Sequence, residues 1–328
     1  MANLFLPLWA VIPPLLFLWF YYRRTPAAPP LRQLLFFFII GGISGFVALG
    51  LEWGVETVAN SVLDWSKIQR SFFGFSLRQM MVIAPIEEGC KLVAVIIPLC
   101  YLQRRYRFRA TTVFIFTIAV ALGFGAEENW IYWFHGTASI LERLISTPVH
   151  PLFSAPWGYA LGIYISSTRR LNRDRNLIFT AWLNSVFFHA LVNIFSRAWV
   201  YPRPIHFLGY ALFPFLLWMF WRLEQLLRRI KRQRSIILIS GHTPQTRYWQ
   251  RGLVLLILLL GGNAILGLFI LARKLSPLRW ERLFEPDIFS FILEQVALNF
   301  FLGVLSWLIY RYLRYLADRG YFLNLGKY

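Results

Sequence analysis

Residues 80–101 read MMVIAPIEEGCKLVAVIIPLCY, an apolar stretch that is long enough to cross a bilayer and contains three charges. A charged side chain at that depth costs at least about 2.5 kcal/mol, so three close together need a compensating role. On a helix, Glu87 and Glu88 point about 100° apart, and Lys91 falls in the sector between them. The lysine can therefore hold one carboxylate charged and leave the group a surplus negative charge for chemistry.

The composition of the whole chain is that of a membrane protein. Hydrophobic residues make up 58% of it and charged residues 15%, against roughly 25% charged residues in soluble domains. We therefore predict an all-α fold, a polytopic transmembrane helical bundle with about nine spans. The spans are expected near 4–22, 34–59, 80–101, 110–134, 149–168, 176–197, 206–226, 252–272 and 288–310.

The net charge of the chain is +19, and in this topology its basic residues are distributed unequally between the two sides of the membrane. Segments that follow odd-numbered spans hold 23 basic residues and the other side holds 10, which predicts an N-terminus outside and a C-terminus in the cytoplasm. We expect a multi-pass protein of the plasma (inner) membrane, with the lipid bilayer and not nucleic acid as its partner. The expected domains are a seven-span core at 1–226, a basic cytoplasmic loop at 227–251, and two further spans with a tail at 252–328.

Polar residues recur in the three spans that follow the EEGCK motif. Span four carries Glu128 and Asn129, span five begins at His150, and span six places His189 and Asn193 four residues apart on one face. In the predicted orientation all of these lie in the outer half of the membrane, as do the two glutamates of span three. Because short loops make consecutive helices neighbours, we expect one shared, water-accessible pocket.

Carboxylates and imidazoles dominate this pocket, and they suit the activation of water by a general base or by a bound metal. Two histidines and one glutamate are feasible ligands for Zn²⁺. The sequence contains no H-E-x-x-H motif and no phosphate-binding glycine loop. Two alternatives stay open: a proton- or cation-coupled transporter, which uses the same residue types, and a non-catalytic membrane scaffold.

Four sequence motifs follow one another along the chain, and their combined order is more specific than any one of them alone. The chain carries E-E-x-x-K at 87–91, G-F-x-x-x-E-N-x-x-Y at 123–132, a histidine at 150 and H-x-x-x-N at 189–193. This series resembles the PrsW family of intramembrane proteases, which are related to the CAAX-processing and bacteriocin-immunity proteins. The resemblance covers about 80–195 and implies an intramembrane endopeptidase. Its substrate would be a membrane-anchored protein such as an anti-sigma factor.

The resemblance also implies roles for eight residues. The residues that activate water would be Glu87 and Glu88, and those that bind metal or stabilise the oxyanion would be Glu128, His150 and His189. The residues that orient them would be Lys91, Asn129 and Asn193. The family carries the label metalloprotease, while relatives with a similar residue set are also discussed as glutamate-dependent without a catalytic metal. Both mechanisms, with Zn²⁺ as the expected cofactor of the first, stay open at this point.

Overall fold

In the computed structural model, all regular secondary structure in the described part of the chain is helical. It describes residues 2–25, 28–137, 143, 146–166, 175–232, 238–241, 243–275, 278 and 280–325. The chain divides into two compact units, Met1–Gln233 and Arg234–Tyr328. The boundary falls inside the segment 227–251, where the sequence predicts a connecting loop.

In the described residues, helices lie in all nine stretches that the sequence predicts as spans, so the all-α class is confirmed. The α-helices of the first unit, including two short ones outside the predicted spans, are α1 (Ala2–Arg23), α2 (Leu31–Val62), α3 (Trp65–Ile68), α4 (Phe72–Arg78), α5 (Ala84–Leu102), α6 (Ala110–Phe134), α7 (Val149–Ser166), α8 (Arg175–Ala198) and α9 (Leu212–Ile230). A π-helical turn, Gln79–Ile83, joins α4 to α5, and a 3₁₀ segment, Ile205–Ala211, leads into α9. The second unit contains α10 (Pro244–Leu275), a 3₁₀ segment (Trp280–Phe284) and α11 (Pro286–Leu325).

Six of the described helical segments are long and apolar enough to cross a membrane. They are Leu31–Val62, Ala110–Phe134, Asn176–Ala198, Ile205–Ile230, Pro244–Leu275 and Pro286–Ala317. Large apolar side chains such as Ile39 and Val58 lie exposed along their outer faces, as contact with lipid requires. The chain is therefore a multi-pass membrane protein, and the crossings by α1, α5 and α7 remain a prediction.

Helix α6 forms the core of the first unit, where it packs against α1, α2, α5 and α7. From Thr112 to Glu127 its side chains are buried on every face, which is expected for a helical stretch that is apolar all round. Two glycines let α2 and α6 touch backbone to backbone. A Cβ at Gly41 would lie 2.2 Å from the carbonyl oxygen of Val120, and one at Gly123 would lie 1.9 Å from that of Phe38. Close approach through glycine is a common way to pack helices in lipid.

The second unit is a helical hairpin in which α10 packs along α11. Uncharged polar side chains mark the contact. Asn299 fills the space that Gly267 leaves by lacking a Cβ, and the Ser306 hydroxyl donates a 2.9 Å hydrogen bond to the carbonyl oxygen of Ile257. These contacts hold two helices together and bring no charged group into the interior of the hairpin.

Candidate active site

The carboxylate of Glu88 is the centre of a buried network between α5, α7 and α8. It is fully buried, and both of its oxygens are engaged. Oε1 accepts a 2.9 Å hydrogen bond from Lys91 Nζ and lies 3.3 Å from His189 Nδ1. Oε2 accepts from Ser154 Oγ at 3.0 Å and from Trp157 Nε1 at 2.9 Å. Four partners use essentially the whole acceptor capacity of a carboxylate, so Glu88 is held rigidly.

Glu87 has a different environment, although it is the next residue. Its side chain is 12% exposed, whereas that of Glu88 is 0% exposed. Glu87 Oε2 lies 3.2 Å from Lys91 Nζ and 3.8 Å from His189 Nε2. The ammonium group of Lys91 also lies 4.0 Å from the centroid of the Phe124 ring, a favourable cation–π contact. Of the two glutamates, Glu87 is the one that retains acceptor capacity and access.

The imidazole of His189 connects the two carboxylates. Its ring stacks on Phe153, with centroids 4.1 Å apart and planes 9° from parallel. An ionised Glu88 is an acceptor only, so the Nδ1 atom of His189 that faces it carries the proton. In the neutral ring, Nε2 is then an acceptor turned toward Glu87. A separation of 3.8 Å is too long for a direct hydrogen bond and suits a bridging water.

A second network surrounds Glu128 at the outer end of α6, as the sequence orients it. Glu128 Oε2 lies 2.7 Å from His150 Nε2 and 2.9 Å from an Nη atom of Arg143. Asn129 holds the arginine by accepting a 2.7 Å hydrogen bond from its Nε, and donates to Thr147 Oγ1 at 3.1 Å. The sequence predicts Glu128, Asn129 and His150 for this site. It gives Arg143 no role, and that residue is buried here as the counter-ion of Glu128.

Two glycines, Gly125 of α6 and Gly45 of α2, leave room for polar side chains of the site. A Cβ at Gly125 would lie 2.8 Å from Cδ2 of His150, so a glycine there makes room for the imidazole. A Cβ at Gly45 would lie 2.3 Å from the Oε2 atom of Glu127. The glycines at 41, 45, 123 and 125 therefore allow α2, α6 and α7 to close around the polar groups.

The structure thus brings seven of the eight predicted residues together in two networks and leaves the eighth, Asn193, outside both. Phe153 contacts both imidazoles, stacked on His189 and edge-on to His150 with centroids 6.1 Å apart. Asn193 joins neither network, because its amide donates a 2.9 Å hydrogen bond to Gln79 in the π-helical turn. Ser154 is not among the site residues predicted from the sequence, although it follows His150 by four residues and therefore shares its helix face.

A metal-binding triad is not formed by the predicted ligands Glu128, His150 and His189. The two nitrogens of His189 face Glu88 and Glu87, while His150 Nε2 lies against Glu128. Among the described residues, no three His, Cys, Asp or Glu side chains group in a way that could hold a metal ion. The described donors therefore do not fit the Zn²⁺ that the sequence leads us to consider.

Comparison with known proteins shows similarity to one family of membrane proteases. A family model described as PrsW family intramembrane metalloprotease matches residues 29–219, which include both networks. The protein named Protease PrsW from Clostridioides difficile (strain 630) is 25% identical over 119 residues, which cover 34% of this chain and 49% of that protein. The chain thus spans about half the length of this relative. No solved structure matches the chain.

Proposed function

The chain belongs to the PrsW family of intramembrane metalloproteases, and from this premise we propose that it is an intramembrane endopeptidase that hydrolyses a peptide bond of a membrane-anchored protein. The observation that carries the proposal is the buried convergence of Glu87, Glu88, Lys91 and His189 from two helices. Buried charges within a membrane are costly and mark functional sites. A water placed between a carboxylate and an imidazole can be activated by the carboxylate as general base.

In the proposed mechanism, Glu87 is the general base. A water held between Glu87 and His189 Nε2 attacks the carbonyl carbon of the scissile bond and gives a proton to Glu87. The same proton then passes to the amide nitrogen as the carbon–nitrogen bond breaks, so that the base is restored. Glu88 takes no proton in this scheme. It fixes His189 and Lys91, and the ammonium group of Lys91 lies against both carboxylates.

His150 is the proposed donor to the oxyanion. Its Nε2 lies against Glu128, and its buried Nδ1 has no hydrogen-bond partner in the described part of the chain. Donation to the oxyanion requires the doubly protonated ring, with one N–H toward Glu128 and the other at Nδ1. Burial of the ring opposes this form, and the charge of Glu128 favours it. Arg143 would hold Glu128 in place. We route no step through a metal ion, because the described donor set does not fit one.

We further propose the topology that the basic residues predict. Helices α1, α5 and α7 would add three crossings to the six apolar segments, which gives nine spans with the N-terminus outside and the C-terminus in the cytoplasm. In the plasma membrane this orientation places Glu87 in the outer half of the bilayer. The substrate would then be cut toward its extracytoplasmic side, and a membrane-anchored regulator such as an anti-sigma factor is the proposed substrate class.

The test is cleavage of single-span reporter proteins by the purified protein in proteoliposomes. Glu87→Gln keeps the shape of the side chain and removes the base, so we expect the rate to fall about 10²- to 10⁴-fold. His189→Ala should have a similar effect. The matched control is Glu294→Gln, the same change at an exposed position of α11, which should stay within about twofold of the wild type. Cleavage by folded Glu87→Gln at the wild-type rate would refute the proposal.

A further inference from the structure

Helix α1 lies outside the part of the chain that the family model matches, which begins at residue 29. It nevertheless packs along α6, the helix that carries Glu128 and Asn129. Ala10, Leu18 and Tyr21 of α1 are each at most 4% exposed, so one face of the helix belongs to the core of the first unit. The mechanism proposed above gives this helix no role.

The sequence of α1 deprives one backbone carbonyl of its helical partners. A carbonyl oxygen in an α-helix accepts from the N–H four residues later, and in a 3₁₀ turn from the N–H three residues later. For Ala10 these two positions are Pro14 and Pro13, and proline has no N–H. Ala10 is the one residue of α1 for which both positions are proline. The tandem prolines therefore leave its carbonyl oxygen free to accept from a side chain.

The freed carbonyl lies against the Glu128 network. It accepts a 3.5 Å hydrogen bond from Asn129 Nδ2, and the same amide nitrogen donates to Thr147 Oγ1 at 3.1 Å. Asn129 is 1% exposed, so both of its N–H groups need acceptors inside the protein. The contact with Ala10 is the longer of the two, and it is the one that a competing backbone N–H would displace.

These two acceptors determine which way the amide of Asn129 faces. With the nitrogen held by groups that accept, Oδ1 is turned to Arg143 and accepts from its Nε at 2.7 Å. An Nη atom of Arg143 lies 2.9 Å from Glu128, and Glu128 lies 2.7 Å from His150 Nε2. A series of contacts thus leads from the carbonyl oxygen of Ala10 to the imidazole that is proposed to donate to the oxyanion.

We propose that α1 serves the active site, and that Pro14 is a positioning residue because it leaves the Ala10 carbonyl free for Asn129. A proline inside a helix weakens the helix, and a fixed orientation of the Glu128–His150 pair is what this one provides. The inference rests on the proposed function, since it names what orients the proposed donor to the oxyanion. It also gives a role to a helix that precedes the family match.

Reporter cleavage by Pro14→Ala in proteoliposomes tests this role. The new N–H occupies the Ala10 carbonyl, so Asn129 loses one acceptor and holds Arg143 less firmly. We expect kcat to fall about 3- to 20-fold, which corresponds to one hydrogen bond within a membrane. KM should stay unchanged, because the oxyanion forms only in the transition state. The unfolding midpoint should not fall, since alanine restores a backbone hydrogen bond, whereas a merely structural proline would change the midpoint and not kcat.

Two further variants isolate the missing N–H. Pro14→lactic acid, introduced by nonsense suppression, has the side chain of alanine but an ester oxygen in place of the N–H, so it should recover most of the kcat that Pro14→Ala loses. Pro7→Ala makes the same change elsewhere in α1 and should stay within about twofold of the wild type. Pro13→Ala, which restores the N–H three residues after Ala10, replaces Pro14→Ala if that variant does not fold. Wild-type kcat in folded Pro14→Ala would overturn the proposal, as would no recovery with lactic acid.

Unfolding midpoints in detergent test the contact without any cleavage. Asn129→Ala should lower the midpoint less in the Pro14→Ala background than in the wild-type background, because the contact with Ala10 is already lost there. In the Pro7→Ala background its effect should equal that in the wild type. Additive effects of Pro14→Ala and Asn129→Ala would overturn the proposal.

The two proposals fail in different ways. If the wild type cuts reporters while Pro14→Ala keeps the wild-type kcat and adds to Asn129→Ala, the role of α1 fails and the protease stands. If the wild type cuts no reporter, the proposed hydrolysis fails. Non-additive midpoints would then still support Pro14 as the residue that positions the Glu128 network.

Discussion

Helices α6 and α10 are both long and apolar, yet they have opposite environments. In its most apolar 18-residue stretch, α10 has a mean hydropathy of 2.7 and only 6% of that stretch is buried, whereas the corresponding stretch of α6 has a mean hydropathy of 1.7 and is 89% buried. In a bilayer the surroundings are as apolar as the side chains, so a very apolar helix loses nothing by facing lipid. The helix with the less apolar stretch, α6, also carries the carboxylates of Glu127 and Glu128, and it is the one that needs the interior.

The same contrast separates the two units. The first buries the charged side chains of Glu87, Glu88, Lys91 and Arg143, and the second buries only uncharged polar groups among its described residues. The match to the family model, at 29–219, lies wholly within the first unit. We therefore expect substitutions in the first unit to alter both stability and catalysis, and comparable substitutions in the second to alter stability slightly or not at all.

The largest effect on stability is expected for Lys91→Met. It keeps the length of the side chain but leaves two glutamates without their buried counter-ion, and losing one partner of a buried pair costs about 3–5 kcal/mol. The unfolding midpoint of the purified protein in detergent measures this. The control is Lys274→Met, at an exposed lysine of α10, which should leave the unfolding midpoint unchanged. An unchanged midpoint in Lys91→Met would show that the buried ion pairs do not hold the site.

A smaller effect is expected where α2 meets α6. Gly41→Ala places a methyl group against the carbonyl oxygen of Val120 and must push the helices apart, which typically costs about 1–3 kcal/mol. Gly50→Ala, on the same helix, meets no atom within 4 Å and should be neutral or slightly stabilising. Thermal unfolding of the two variants side by side distinguishes these cases. Equal midpoints would contradict the close packing of the α2–α6 pair.

The smallest effect is expected in the second unit. Ser306→Ala removes one hydrogen bond to the carbonyl oxygen of Ile257, and such bonds within membranes contribute about 0.6 kcal/mol on average. Reporter cleavage by this variant should equal that of the wild type. A large loss of cleavage by folded Ser306→Ala would mean that the hairpin takes part in the chemistry, and the division between the units would have to be abandoned.

Much of the site could be predicted from the sequence because its residues interrupt apolar helices. Glu88 and Lys91 stand three residues apart on one helix, so their contact follows from helical geometry alone. The different environments of Glu87 and Glu88 could not be predicted. They depend on Ser154 and Trp157 of α7, and which face of one helix meets another is set by packing across the whole unit.

Two other contacts escaped prediction for local reasons. Arg143 lies between α6 and α7, where no helical periodicity indicates the direction of a side chain, so its pairing with Glu128 is visible only in the structure. The pairing of Asn193 with Gln79 depends on the π-helical turn before α5. A π turn changes the rotation per residue, so positions counted back from Glu87 at 100° per residue point to the wrong face.

The most direct test of the central claim is the mass of the products formed from single-span reporters in proteoliposomes. The account predicts two fragments whose masses sum to that of the reporter plus one water, formed by the wild type and by Glu294→Gln and lost in folded Glu87→Gln. Equal amounts of the same fragments from Glu87→Gln would contradict it. So would a folded wild type that cuts no reporter in a broad panel and instead shows proton-coupled uptake.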